Sequence, residues 1–424
     1  MSDTNKSVKN VAVIGGGAAG LIAAWAAAKN NSVFLIERNE KLGKKLYITG
    51  KGRCNITNTD DKDEFFRSVF RNPKFLYSAI NAFSNQDIVR LIEANGVKTK
   101  VERGGRIFPE SDKSSDVIRA LTKNAEKAGV NIALNTRVKA VKKIENGFDI
   151  EFYSNPQSIP SKYDAVIICT GGKSYSSTGS TGDGYELARC FGHTIVELKP
   201  SLTGLCTNEQ WVSDLQGLTL KNVQLTAYRN GKKIYSDMGE MLFTHFGVSG
   251  PLVLTLSGHI ADDPIGVLLS IDLKPALSEN TLDRRILSDF DKHKHKLLKN
   301  ALVDLLPSRM ISVIINQSGI SAEKSVDEIT AIERAALLKA LKSLQLTVSG
   351  TPPIHQAIVT RGGVSVKEID PRTMESKLVK GLYFAGEVID CDAQTGGYNL
   401  QIAFSTGYLA GSSANDLQND IGEI

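Results

Sequence analysis

The N-terminal segment alternates between apolar runs and a glycine-rich turn. Residues 10–14 form a short apolar run, and the glycine-rich stretch 15–20 follows it directly. The Ala-rich stretch 21–29 is typical of a helix, and a second apolar run, 32–36, ends in Glu37. Short apolar runs bounded by glycine are typical of buried strands. The pattern therefore predicts a strand, a helix and a second strand, in that order.

Two later apolar runs also end in glycine. Residues 164–172 and 381–387 have the composition of buried parallel strands, and the glycine-led segment 396–407 predicts a further helix. Ligands of open α/β sheets bind beyond the carboxyl ends of the strands. We therefore expect the glycines of these segments to lie beside those of residues 15–20.

The middle of the chain has a different pattern. Residues 195–273 alternate as strands do, whereas 278–345 are helical and charged. The predicted fold class is α/β, with a Rossmann-like domain interrupted by a β-rich domain and a small helical subdomain. The predicted boundaries are 1–194 with 353–424 for the first domain, 195–276 with 346–352 for the second, and 277–345 for the third.

Length and composition narrow the class of protein. A chain of 424 residues predicts two or three domains. No apolar stretch reaches the roughly 18 residues of a membrane span, and residues 1–9 do not resemble a signal peptide, so we expect no membrane association and a cytoplasmic location. The five cysteines are scattered without a CxxC pair, so no metal site is predicted.

The net charge of the chain indicates which kinds of molecule it could bind. The net charge is +5, from 51 basic and 46 acidic residues, which could help to attract an anionic small-molecule substrate. No basic run with interleaved aromatics is present. We therefore expect a small-molecule substrate rather than nucleic acid.

The glycine turn and Glu37 together predict a dinucleotide site. Gly15 permits a sharp turn, Gly17 leaves room for a pyrophosphate, and Gly20 lets the helix pack closely on the strand. The N-terminus of the helix presents free N–H groups to the phosphates. Glu37 is placed to accept hydrogen bonds from ribose hydroxyls, and its charge disfavours a 2′-phosphate. This combination favours FAD or NAD over NADP; the alternative is a tight turn in another α/β protein.

The return of ligand-facing segments near the C-terminus favours the longer cofactor, FAD. Glu387 is suited to ribityl hydroxyls, and the helix after Gly396 can point its positive end at the flavin ring. The loop that contains Lys44, Lys45 and Arg53 either wraps the cofactor and neutralises its diphosphate or is a basic surface turn. The predicted cofactor-binding residues are Gly15, Gly17, Ala18, Ala19, Gly20, Glu37, Arg38, Lys44, Lys45, Thr49, Gly50, Gly52, Arg53, Cys54, Asn55, Val138, Thr170, Gly171, Gly172, Gly386, Glu387, Gly396, Gly397, Tyr398, Asn399, Leu400 and Gln401.

Six segments carry a resemblance to a known family. They are GGGAAG at Gly15, TGKGRCNITN at Thr49, TGGKSYSSTGSTGDGY at Thr170, GEMLFTHFGVSGP at Gly239, VTRGGVSVKEIDPRTMESK at Val359 and GLYFAGEVIDCDAQTGGYNLQIA at Gly381. The chain resembles the BaiN/YhiN-like (aminoacetone-oxidase-like) family of two-dinucleotide-binding flavoproteins. The resemblance implies an FAD domain built from both chain ends and interrupted by a β-barrel-like and a helical domain.

The family resemblance implies two kinds of activity. One is reduction of carbon–carbon double bonds in 3-oxo steroid or bile-acid intermediates, and the other is oxidation of aminoacetone. This sequence has Ser174-Tyr175-Ser176 where relatives often have SYP, and Cys391 where a small apolar residue is commoner. The substrate pocket is therefore expected to differ.

The leading hypothesis is hydride transfer through flavin N5, with NADH or NADPH as a transient donor. His193 is the first histidine of the chain, so the preceding glycine loops offer no histidine for a flavin bond and FAD is expected to be noncovalent. No second GxGxxG is present for a resident nicotinamide site. The rivals are an amine oxidase that produces peroxide, a flavin-dependent tRNA-modifying protein and a flavin-binding regulator.

Three residues are candidates for catalysis. His245 and Tyr398 are considered for proton transfer, with a hydrogen-bonded structural histidine as the alternative for His245. Arg361 precedes two glycines and either pairs with an anionic substrate or lies at the surface. Oligomeric state is left open.

Overall fold

The computed structural model describes residues 8–154 and 159–415. The chain divides into two compact units. The first unit comprises Met1–Ser201 and Ile354–Ile424, and the second comprises Leu202–Pro353. Among the described residues, no helix combines the length and the apolar character needed to cross a membrane.

Helices and strands alternate along most of the chain. The helices are α1 Ala18–Ala27, α2 Lys44–Ile48, α3 Lys62–Arg67, α4 Tyr77–Ala82, α5 Asn85–Ala94, α6 Ser114–Lys127, α7 Asp183–Cys190, α8 Pro251–Ile260, α9 Glu279–Lys292, α10 Leu298–Ala301, α11 Ser308–Ser318, α12 Ala331–Lys342 and α13 Tyr398–Asn415. The strands are β1 Asn10–Ile14, β2 Ser32–Ile36, β3 Thr57–Asn58, β4 Thr99–Glu102, β5 Arg106–Pro109, β6 Asn131–Ala133, β7 Val138–Ile144, β8 Gly147–Phe152, β9 Lys162–Tyr163, β10 Ala165–Ile168, β11 Ile195–Ser201, β12 Leu205–Thr207, β13 Thr219–Arg229, β14 Lys232–Phe243, β15 Gly247–Ser249, β16 Leu268–Asp272, β17 Leu344–Gly350, β18 Val359–Val364 and β19 Leu382–Phe384.

A five-stranded parallel sheet with the order β19-β10-β1-β2-β6 forms the centre of the first unit. Ile14 pairs with Ile36 on one side and Ile168 on the other, and Ile168 pairs with Phe384. The carboxyl ends of these four strands therefore lie at one edge. The strands are buried on both faces, which explains their uninterrupted apolar composition.

Helices α1 and α13 pack closely because glycine lies at their contact. A Cβ atom on Gly407 or Gly411 would overlap the backbone oxygens of Ala19 and Ala23. The two chain ends thus share one core, as the sequence predicted, and the α/β Rossmann-like fold class is confirmed.

Three small antiparallel sheets complete the first unit, with the orders β3-β5-β4, β7-β8-β9 and β11-β18. The predicted boundary at residue 194 differs from the division that the structure makes. Strand β11 pairs with β18 and belongs to the first unit, which ends at Ser201.

The second unit contains a closed barrel with the strand order β12-β15-β14-β13-β16-β17. Inward-facing apolar side chains fill it, among them Leu225, Phe243, Leu269 and Leu346, and α8 to α12 pack into the same core. Sequence reasoning missed β15 within the turn that follows Phe243. Barrel and helices share one compact unit, so their separation into two domains stays a prediction.

Candidate active site

All the predicted cofactor-binding residues lie in the first unit, most of them in connections at the carboxyl edge of the central sheet. The β1–α1 turn holds Gly15 to Gly20, Glu37 and Arg38 follow β2, the Thr170 segment follows β10, and Gly386 and Glu387 follow β19. Lys44 and Lys45 lie in α2, and the 49–55 segment precedes β3. Val138 begins β7. Gly396 and Gly397 directly precede α13, and Tyr398 to Gln401 form its first turn. His245 lies in the second unit.

The β1–α1 turn has the form of an anion site. Gly15 has a φ of 105° and its N–H donates to the carbonyl of Ile36 at 2.8 Å. Gly17 is the N-cap of α1, and a Cβ atom there would meet no atom within 4 Å. No side chain caps the helix. The N–H groups of the first turn therefore face open space that a phosphate can fill.

Glu37 lies beside this turn and is buried. Its Oε2 accepts from the N–H of Gly16 at 2.7 Å, and Oε1 accepts from the backbone and side chain of Asn39 at 2.8 and 2.7 Å. A carboxylate has about four acceptor positions. One position on Oε2 therefore remains available for a ribose hydroxyl.

The segment after β10 adds an unpartnered hydroxyl to the same edge. Thr170 Oγ1 is buried and makes no hydrogen bond within the described residues. The neighbouring residues are held in place by Thr360, whose Oγ1 accepts from the N–H groups of Lys173 and Ser174 at 2.8 and 3.0 Å. Sequence reasoning missed Thr360, because it gives no signal beyond its position before Arg361.

Glu387 is surrounded by protein donors. Lys45 Nζ lies 2.6 Å from Oε2, while Oε1 accepts from Ser174 Oγ at 3.0 Å and from the N–H of Thr360 at 2.8 Å. Burial alone would raise the pKa of this carboxyl, but Lys45 and the hydrogen bonds outweigh burial and lower it. Glu387 is therefore ionised at neutral pH, and Lys45 pairs with it.

The 49–55 segment can offer a cofactor its backbone groups and one side-chain amide, that of Asn55. Arg53 pairs with Glu102 and with Asp112, the latter at 2.6 Å, so its charge is directed at these carboxylates. Cys54 is fully buried, which raises its thiol pKa to about 12 and keeps it protonated. Asn55 Oδ1 is buried and has no hydrogen-bond partner among the described residues. Asn55 Oδ1 is therefore a polar atom that a cofactor could satisfy, whereas the Thr170 hydroxyl faces Gly184 of α7.

The start of α13 is fixed to β3. A Cβ atom on Gly397 would overlap the backbone of Thr57, and Thr57 Oγ1 donates to Gln401 Oε1 at 2.8 Å. Asn399 closes the preceding turn by exchanging hydrogen bonds with Ala393 at 3.0 and 2.7 Å. The N-terminus of α13 is thus held rigidly in the first unit.

The three candidate catalytic residues have different surroundings. Tyr398 is buried and its hydroxyl donates to Asp60 Oδ2 at 2.5 Å; burial, with the Asp60 hydrogen bond, raises the pKa of Tyr398 to about 12. Arg361 is buried and its Nη2 lies 3.1 Å from Asp392 Oδ2, so it has an internal partner rather than an open face for substrate. Burial outweighs this ion pair and raises the pKa of Asp392. His245 is exposed and packs edge-on against Phe246.

Comparison with known proteins identifies the family. The profile of the HI0933-like protein Rossmann domain matches residues 9–413. The chain is 32% identical over 413 residues to a 3-dehydro-bile acid delta(4,6)-reductase of Clostridium scindens, covering 96% of this chain and 99% of the relative. It is 32% identical over 404 residues to a ribosomal RNA dihydrouridine synthase of Haemophilus influenzae, covering 95% and 97%.

A solved structure supports the fold assignment. The 3-ketosteroid delta1-dehydrogenase of Sterolibacterium denitrificans superposes with a TM-score of 0.52 at 14% identity, covering 97% of this chain and 100% of that one. The resemblance predicted from the six sequence segments is confirmed by the family match. The chain belongs to the HI0933-like Rossmann family, and it is a flavoprotein and an oxidoreductase.

Proposed function

We propose that this protein uses FAD and NADH or NADPH to reduce a carbon–carbon double bond conjugated to a carbonyl group. The observation that carries the proposal is the uncapped, open N-terminus of α1 beside the buried Glu37. This pairing of a phosphate site with a ribose acceptor suits the adenosine diphosphate half of FAD. The unpartnered Asn55 oxygen would offer a further polar contact to it.

The protein's own groups have distinct tasks in this proposal. FAD supplies the capacity to accept a hydride from a nicotinamide and to deliver one to an electron-poor carbon. The N–H groups at the start of α1 hold its diphosphate, and Glu37 holds its ribose. Tyr398 carries a proton on its phenol oxygen at neutral pH, as any tyrosine does, and donates it in a hydrogen bond to Asp60. Tyr398, which would have to release its hydrogen bond to Asp60, and the exposed His245 are the two candidate proton donors to the substrate.

The substrates named for two relatives have the same reactive group, a carbon–carbon double bond conjugated to a carbonyl. In a 3-oxo steroid a Δ4 double bond is conjugated to the ketone, and in uridine the C5=C6 bond is conjugated to the C4 carbonyl. Hydride addition at the β carbon and protonation at the α carbon reduce either system. The relatives that are 32% identical are named for one substrate of each type. Of the two substrate classes we favour a steroid-like small molecule, because the sequence predicts a small-molecule substrate rather than nucleic acid.

Anaerobic mixing of the FAD-loaded protein with NADH, and separately with NADPH, tests the electron donor. We expect one of them to bleach the flavin absorbance, and a Δ4-3-oxo steroid to restore it. If neither nicotinamide reduces the flavin while a primary amine does so and peroxide forms in air, the protein is an amine oxidase and the proposal is wrong.

Uridine in ribosomal RNA is the second candidate substrate, and the match to the Haemophilus influenzae enzyme favours it. The reduced, FAD-loaded protein would be incubated with unmodified ribosomal RNA, and the nucleosides analysed by mass spectrometry. Dihydrouridine formation at a defined position, with no steroid turnover, would show that RNA and not a steroid is the substrate. Absence of dihydrouridine under conditions in which the steroid is reduced would exclude this candidate.

A further inference from the structure

A cluster of basic side chains lies beside the 49–55 segment. We call it the basic face; its members are Lys51, Arg53, Lys98, Lys100, Arg103, Arg106 and Lys113. They come from three separate parts of the sequence: the segment before β3, the β4–β5 hairpin and the residue that precedes α6.

The hairpin brings the three parts together. Lys100 pairs across the ladder with Phe108, and Glu102 with Arg106, so these four side chains share one face. The guanidinium of Arg53 stacks on the Phe108 ring at 4.2 Å. A Cβ atom on Gly50, next to Lys51, would also touch this ring. Phe108 is therefore the apolar centre around which Arg53, Lys100 and Arg106 gather.

Acidic neighbours neutralise only part of the basic face. Asp112 accepts from Lys100 at 2.7 Å and from Arg53, which also pairs with Glu102. The other five cations are exposed, and none of them forms an ion pair with a described residue; they are Lys51, Lys98, Arg103, Arg106 and Lys113.

The excess of positive charge here is large for this chain. Seven cations are offset by three acids, Glu102, Glu110 and Asp112, whereas the whole chain has a net charge of +5. Within the segments 49–55 and 98–113 this is an excess of four positive charges, which is close to that of the entire protein. Such a concentrated field attracts a polyanion at a distance set by the ionic strength.

An exposed aromatic ring borders the same face. Tyr47 is 58% exposed, and its carbonyl accepts from Ser114 Oγ at 2.7 Å, which places it beside Lys113. Exposed rings next to a basic surface are suited to stacking with unpaired bases. The structure thus assembles the combination of aromatic and basic residues that the linear sequence lacks.

We propose that the basic face binds the phosphate backbone of RNA and that Tyr47 stacks on an unpaired base. This inference runs against the expectation from sequence that nucleic acid is not a partner. It rests on the second candidate substrate, because docking here would bring RNA next to the 49–55 segment of the cofactor site. Lysine and arginine contacts to phosphates position RNA without reading its sequence.

Binding would be strongly salt-dependent. Each phosphate contact contributes about −0.7 to −0.9 to the slope of log affinity against log salt. If the five unpaired cations are engaged, we expect a slope near −4 and a loss of affinity of about two orders of magnitude between about 50 and 200 mM KCl.

The test compares two double charge reversals of the FAD-loaded full-length protein. Lys98→Glu/Arg103→Glu removes two cations from the basic face. Lys221→Glu/Lys232→Glu makes the same change in net charge at exposed lysines of the second unit, which also lack ion pairs with described residues. Binding is measured by fluorescence polarisation with a labelled RNA hairpin that carries a uridine-rich loop, and with the DNA hairpin of the same sequence.

We expect the basic-face variant to weaken RNA binding at least about tenfold and to reduce the salt slope by about two units, whereas the control variant changes affinity less than about twofold. Tyr47→Ala should weaken binding about tenfold at an unchanged slope.

Two results would overturn the inference: no RNA binding at low salt, or equal loss of affinity in both double variants. The DNA hairpin should bind with similar affinity and the same dependence on the variants, because phosphate contacts and base stacking do not read the 2′-hydroxyl. Flavin reduction by nicotinamide and steroid turnover are measured on the same variants. They should be unaffected, so a failure of the RNA inference is distinguished from a failure of the proposed reductase activity.

Discussion

At the scale of single residues, Glu387 shows how this site is held together. Its donors come from α2, from the segment after β10 and from β18, which are far apart in the sequence. One ionised carboxylate therefore fixes three pieces of chain at the carboxyl edge of the sheet. Lys45 cannot be substituted without leaving this charge in a poorly hydrated place, because its side chain and that of Glu387 are only 24% and 19% exposed.

Glu387→Gln should lower the free energy of unfolding by about 1–3 kcal/mol near pH 7, because Lys45 loses its counter-charge. The pKa of Glu387 is lowered by folding, so its stabilisation is fully present above the usual carboxyl pKa and disappears as the pH falls through the folded value. Urea unfolding of the wild type and the variant should therefore show a gap that is constant near neutrality and closes in acid.

The neighbouring lysine provides the matched control. Lys44 pairs with Glu40 at 2.8 Å in an exposed position. Ion pairs of that kind contribute little to stability, so Glu40→Gln should leave unfolding nearly unchanged. Equal destabilisation by the two substitutions would contradict the role given to Glu387.

At the scale of elements, a substitution at the start of α1 should change cofactor binding without lowering the stability of the apoprotein. Gly17 has a φ of −85°, which any residue adopts, and a side chain there meets no atom. Aspartate is a better N-cap than glycine by a few tenths of a kcal/mol. Gly17→Asp should therefore leave the melting temperature of the apoprotein unchanged or slightly higher.

The same substitution should impair FAD binding. The new carboxylate would stand where the diphosphate is held, and two like charges about 4 Å apart repel by roughly 4 kcal/mol near a protein surface. We expect FAD affinity, measured by flavin fluorescence quenching, to fall about a thousandfold. Gly17→Asn caps the helix without adding a charge, so it should lower the FAD affinity much less than Gly17→Asp does. If Asp and Asn weaken binding equally, the start of α1 does not hold the diphosphate.

The sequence predicts the elements whose signals lie close together along the chain. The run 10–14 and the glycines after it become β1 and the β1–α1 turn, because strand, turn and helix are encoded within thirty residues. The side-chain partners that distant segments supply to one another could not be predicted. The sequence offers two interpretations of Lys45, neutralising the diphosphate or lying in a basic surface turn, whereas its Nζ pairs with Glu387, 342 residues later. For Arg361 the sequence offers an anionic substrate or a surface position, whereas its side chain points from β18 into the core and pairs with Asp392.

Charge clusters escape sequence reasoning for the same reason. The members of the basic face lie in three segments with acids and glycines between them, so no basic run is visible. Only the β4–β5 hairpin, and the stacking of Arg53 on Phe108, bring them to one surface. The folded arrangement, and not composition, therefore decides whether a mild net charge becomes a binding surface.

At the scale of the whole molecule, the proposed FAD site draws its residues from both parts of the first unit. They extend from Gly15 to Gln401, while the second unit, Leu202–Pro353, is inserted between them. A ligand that contacts both parts stabilises the folded first unit by mass action. FAD at a hundredfold excess over its Kd should contribute about 2.7 kcal/mol, which raises the melting temperature of a unit this large by about 5 °C.

The two tryptophans allow this to be measured unit by unit. Trp25 packs against Phe83 and Tyr408 in the first unit, and Trp211 lies near Phe243 in the second. Trp211→Phe leaves Trp25 as the sole reporter, and Trp25→Phe leaves Trp211. Thermal unfolding followed by tryptophan fluorescence, with and without FAD, should shift the Trp25 transition by the full amount and the Trp211 transition by less. A shift confined to Trp211 would place the cofactor outside the first unit, whereas identical shifts would mean that the two units unfold as one.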